Sequence, residues 1–98
     1  MVTTSRIAFI QQILADTFSK FESVDGVFLS GDDQQFRAIV ITNFPMFDRA
    51  GMDELLKAED ALLDQYPDLR LFVDYFPAAS RSLDDLAFAD AILIFRRQ

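Results

Sequence analysis

The chain has 98 residues, a formal net charge of −7, and neither cysteine nor histidine. Thiol nucleophiles, disulfides, imidazole bases and histidine-ligated metals are therefore excluded, and long-range attraction to nucleic acid or anionic lipid is disfavoured. With 51% of residues apolar and 11 of them phenylalanine, the composition is globular and fits a single α+β domain over residues 1–98.

At the N-terminus, Ser5 is placed to cap a helix running to about Glu22. Ile7, Ile10, Leu14, Phe18 and Phe21 recur every three or four residues and form its apolar face. Phe9 points elsewhere, either under a loop or toward a second contact surface. Arg6, Gln11, Gln12 and Asp16 interrupt the apolar residues, so no secretory segment shows. The longest apolar run, residues 91–95, is far shorter than the roughly 20 residues of a bilayer span. Lack of cysteine fits a reducing compartment, and the expected location is the cytoplasm, with no membrane and no nucleic-acid partner.

Residues 24–30 and 36–44 alternate as two antiparallel strands, with polar turn chemistry in Gly31-Asp32-Asp33-Gln34-Gln35. Gly26 interrupts the first strand and marks a bulge. In the second strand Phe36, Ala38 and Val40 face one way, and Ile39 and Ile41 the other. Apolar residues on both faces imply a central strand or a sheet covered on both sides, and with one helical layer the second face is partly wet or covered by another subunit. Asp32 and Asp33 read as turn residues, since the alternating ligands and closing glutamate of a calcium loop are missing.

Residues 48–66 form a second helix, capped by Asp48, with Phe47 able to staple onto Met52 and Pro67 ending it. Met52, Leu55, Leu56, Leu62, Leu63 and Tyr66 share one face at about 100° per residue, and Glu59 falls at the centre of that stripe. A carboxylate there must be paired, protonated or at the edge of the packing. The favoured partner is an arginine, Arg37 or Arg70, in a bridge that fixes helix register. Partial exposure and a ligand-binding role stand beside that reading.

Residues 69–76 form a third strand, reached from the second by a path long enough for a parallel crossover. With Leu71, Val73 and Tyr75 inward, the favoured arrangement, Asp74 is solvated. With Phe72 and Phe76 inward, Asp74 would approach Glu59. Ser82-Leu83-Asp84-Asp85 starts a short helix, residues 91–96 make a fourth strand, and Arg96-Arg97 reads as a solvated tail. The expected fold is a two-layer α+β sandwich in the order α-β-β-α-β-(short α)-β. Its mostly antiparallel four-stranded sheet carries two helices on one face.

The first helix followed by Val24-Asp25-Gly26-Val27-Phe28-Leu29-Ser30-Gly31-Asp32 resembles the roadblock/dynein-light-chain family, over about forty residues. The resemblance implies a small dimerising scaffold. Residues 77–98 depart from the family's later strands and final helix, so the chain is not identified with it.

No phosphate-binding glycine loop, nucleophile elbow or metal-ligand spacing occurs, and no cofactor or metal is expected. The function read from these residues is a non-catalytic protein-interaction module, self-associating as a homodimer. Phe9, Phe28, Phe36, Phe44, Phe72 and Phe76 are the candidate contact residues. The competing reading is a small carboxylate enzyme or ligand-binding protein with a pocket near Glu59, Arg37, Asp74 and Arg70.

Overall fold

The computed structural model describes residues 2–31, 35–44, 48–78 and 91–97, with the backbone course alone for 2–6. The elements are α1 (Val2–Phe18), β1 (Val24–Gly31), β2 (Phe36–Thr42), α2 (Arg49–Gln65), β3 (Leu71–Pro77) and β4 (Ile92–Arg96). The order is the expected one. The short helix expected at Ser82 and the staple from Phe47 fall outside the described residues. No described helix is long and apolar enough to cross a membrane.

The four strands form one sheet in the order β3-β2-β1-β4. Antiparallel ladders join β1 to β2 and β1 to β4, and a parallel ladder joins β2 to β3. The parallel pair follows from α2, which lies between β2 and β3 in sequence and carries the chain back to the same end of the sheet. Asp25 is the extra residue that shifts the β1–β2 register beside Gly26, as the glycine suggested. Gly31 closes β1 with φ 136°, and a Cβ there would lie 2.4 Å from the Gln35 carbonyl oxygen, so only glycine fits.

One face of the sheet carries both helices. Val24, Val27 and Leu29 of β1, Phe36, Ala38 and Val40 of β2, and Leu71 of β3 pack there against Ile10, Leu14 and Phe18 of α1 and Leu55 and Leu62 of α2. The helix α1 lies over β1 and β4, whereas α2 is tied to β3 through Tyr75. On the other face Phe28, Ile39 and Ile41 form a second cluster with Ala78, joined by Phe76 and Ala91. Ile41 is fully buried within the single chain, so the centre of this face needs neither water nor a second subunit to cover it.

Two boundaries differ from expectation. Ser5 lies inside α1, which begins at Val2, and the helix ends at Phe18, short of Glu22. Arg97 occupies the space beyond that end. Its guanidinium donates to the carbonyl oxygens of Ser19 (2.9 Å), Phe21 (2.6 Å) and Val24 (2.8 Å), so carbonyls outside the helical ladder are satisfied by a charged side chain. Arg97 is therefore no solvated tail. It ties the end of β4 to the α1–β1 connection and also stacks over Phe95, 5.5 Å from the ring centroid.

Candidate functional site

Glu59 faces the sheet from α2, on the same side as Leu55 and Leu62, and its partner is a tyrosine. Tyr75 Oη donates to Glu59 Oε1 at 2.9 Å and lies 3.4 Å from the Leu55 carbonyl oxygen. Tyr75 is an inward residue of β3, and its ring meets Phe18 edge-on, with centroids 6.4 Å apart. Burial first, then the hydrogen bond to Glu59 and the charges of Glu59 and Asp60, push the Tyr75 phenol far above its ordinary range. The phenol therefore keeps its proton and remains a donor. A half-buried carboxylate is satisfied by a neutral group, without the cost of bringing a second ion out of water.

The expected arginine bridge to Glu59 is thus corrected. Strand alternation explains it. In β2, Phe36 and Ala38 point at the helices, so Arg37 between them points the other way. Asp74 likewise stands between the inward Val73 and Tyr75. Across the parallel ladder Arg37 Nε and Asp74 Oδ2 meet at 2.5 Å, on the face away from Glu59. Asp74 is solvent-facing, as the favoured reading had it, and Arg37 is its partner. The pair is 61% and 50% exposed, and such surface pairs contribute about 0–1 kcal/mol. Arg70 is exposed just before β3, and its carbonyl accepts from the Phe36 N–H at 2.8 Å. The sheet therefore lies between Glu59 and the Arg37–Asp74 pair, and a single pocket does not gather all three.

Among the described residues, two clefts open at the Gly31 end of the sheet. One, about 200 Å³, lies on the helical face between Ile7, Leu29, Phe36 and Ile92. The other, about 410 Å³, lies on the opposite face and is bordered by Arg37, Asp74, Phe72 and Gln35. Arg37 and Asp74 offset one another there, so the pair gives the cleft no net charge. Among the described residues no three carboxylates come together as a metal-ligand set.

The candidate contact phenylalanines divide by position. Phe36 and Phe28 are buried, one in each cluster, and so present no surface. Phe44 is half-buried over Gly51, and Phe76 is half-buried on the second face. Phe9 and Phe72 remain at the surface, 45% and 59% exposed. Phe9 stands edge-on to Tyr66 at 5.2 Å, which accounts for a ring on the polar side of α1. Leu56, placed by the sequence on the inward stripe of α2, is 43% exposed at the margin of that stripe, and exposed Ile92 and Leu93 were not named as contact residues from the sequence. For the last two the signal was the uninterrupted run 91–95, which reads as buried until the strand order makes β4 an edge.

Comparison of the chain with protein-family models, with curated protein sequences and with solved structures gives no match.

Proposed function

We propose that this chain is a small cytoplasmic, non-catalytic interaction module that associates with a second copy of itself through apolar side chains at the margins of its sheet. The observation that carries this reading is the pattern of exposure. The sheet is closed at its centre, yet Phe72 on one edge strand and Ile92 and Leu93 on the other remain open to solvent. A scattered apolar residue at a surface is ordinary. Adjacent ones on an edge strand are less so, because that strand also presents backbone donors and acceptors that a partner can use. A cytoplasmic location accords with a chain that uses no cysteine.

The carboxylate reading requires Glu59, Arg37 and Asp74 on one side of the sheet, and alternation along β2 and β3 separates them. Sedimentation across a concentration range tests the interaction reading. The weight-average mass should rise toward that of a dimer as concentration increases. A strict monomer at the highest attainable concentration defeats it. As a companion measurement, adding Mg²⁺, Mn²⁺ or nucleotides should leave the melting temperature unchanged, since a ligand favouring the native state would raise it.

A further inference from the structure

We infer that β4 is the seam of that self-association: two copies pair their β4 strands antiparallel about a two-fold axis through Ile94, joining two four-stranded sheets into one. This rests on the self-association reading and adds where, and in which register, the copies meet.

Three observations carry it. First, the two edges of the sheet are not equivalent. The β3 edge has Asp74 in its middle and Pro77 at its end, both features that discourage strand addition. The β4 edge has neither. From Ile92 to Phe95 it is uninterrupted Ile-Leu-Ile-Phe, with Ile92 51% and Leu93 37% exposed, and among the described residues it pairs with β1 along one side alone.

Second, charge favours a copy of this chain at that edge over any other edge of it. Of the exposed acids, Asp53, Glu54, Asp60 and Asp64 ride on α2, which is tied to β3 through Tyr75, whereas α1, over β1 and β4, carries Asp16 alone. Three strand spacings separate β3 from β4, roughly 14 Å at about 4.8 Å each. That exceeds the Debye length of about 8–10 Å at ordinary ionic strength. Two molecules that each carry a net charge of −7 therefore meet with their acidic helices at the far ends. The strand between them ends in Arg96, and Arg97 just beyond it is held by its own chain. In the antiparallel register about Ile94, Arg96 falls opposite Ile92 of the second copy, so no like charges face each other.

Third, the register shift in the β1–β4 ladder leaves Ile94 as the extra residue, between Leu93 opposite Phe28 and Phe95 opposite Val27. A bulge bends its strand and sharpens the local twist. With the axis through Ile94 the two bends coincide and the copies remain complementary. Any other register sets a bent strand against a regular one. A two-fold contact also closes on itself, which ends the assembly at a dimer despite the open edge.

The absence of native cysteine makes the test direct. Under oxidising conditions Ile94→Cys should cross-link to itself, and Phe72→Cys, on the opposite edge, should not. If Ile94→Cys fails to fold, a mixture of the Ile92→Cys and Arg96→Cys proteins serves instead. The mixed cross-link should exceed either self cross-link, because those two positions face each other across the axis. In sedimentation, Ile92→Lys or Leu93→Lys should weaken the dimer about ten-fold or more, whereas Phe72→Lys should leave it intact. A dimer that survives the β4 lysines and forms no cross-link at the axis overturns the seam while self-association stands. A wild-type chain that is monomeric throughout overturns both, and leaves the β4 edge to a strand from a different protein.

Discussion

Glu59 and Tyr75 show how one polar contact is accommodated within an apolar layer. The carboxylate is held by a phenol whose own ionisation is suppressed by burial and by that same carboxylate. Tyr75→Phe removes the donor and leaves Glu59 half-buried without it, a change expected to cost about 1–3 kcal/mol. Urea unfolding of the variant at neutral pH measures it, and an unchanged midpoint would deny the bond any structural weight. The pH dependence has a definite sign. An unfolded tyrosine ionises near pH 10, and Tyr75 in the folded chain ionises higher. The stabilisation from this shift is therefore complete below about pH 10 and is lost as pH rises beyond it. Wild-type stability should fall between pH 9 and 11 more steeply than that of Tyr75→Phe, with both ranges set by that reference value near 10. The sequence located the awkward acid but not its partner. Alternation had already turned Tyr75 inward, yet an inward tyrosine reads as one more aromatic until its strand is known to lie beneath α2.

At the scale of elements, α2 shows local and tertiary causes acting at one place. Asp48 caps it as the sequence implied, its Oδ1 accepting from the Gly51 N–H at 3.0 Å. Gly51 stands in the first turn, where glycine costs less than in a helix interior. In the fold it is the seat of Phe44. A Cβ at Gly51 would lie 2.6 Å from Phe44 Cε1 and 2.9 Å from Asp48 Oδ2, inside van der Waals contact with both. Alanine is ordinarily favoured over glycine in a helix by up to about 1 kcal/mol. Here Gly51→Ala is expected to reverse that sign, because the added methyl must displace a packed ring and the capping carboxylate together. Denaturant midpoints compare the two directly, and a more stable alanine variant would mean that Phe44 yields at no cost. The strands were legible for a related reason. Period-two alternation in residues 36–42 and 71–76 showed which side chains share a face. It left open which of the two faces the helices would cover, because the second strand is apolar on both.

For the molecule as a whole, the last described residue secures the first connection. Arg97 binds the carbonyls of Ser19, Phe21 and Val24, and so joins β4 to the end of α1 across nearly the entire chain. Arg97→Met keeps most of the aliphatic stem while removing three charge-assisted bonds and the cation over Phe95. The expected loss is about 2–3 kcal/mol, the worth of a hydrogen bond to a charged group. It should appear as a lower urea midpoint at unchanged slope. Arg97→Lys should recover part of it at most, since an ammonium is a compact point charge without the planar fork of donors. A Met variant as stable as wild type would show the arginine to be a bystander. The proposed self-association belongs to the same scale. Both faces of the sheet are buried at their centres, and what remains open lies along its edges.

Residue type and short-range periodicity, both properties of neighbouring positions, were enough to establish the absence of thiol and imidazole chemistry, the order of helices and strands, that Asp74 shares a side of β3 with Phe72 and Phe76, and the acid on the α2 stripe. Tertiary structure alone decided that Glu59 meets Tyr75 and Arg37 meets Asp74, that Arg97 turns back onto Ser19, and that the most apolar run of the chain is an edge. Those outcomes depend on which strand lies beside which and in what register. That choice is made by packing between segments separated by as many as 78 positions, and no local pattern encodes it.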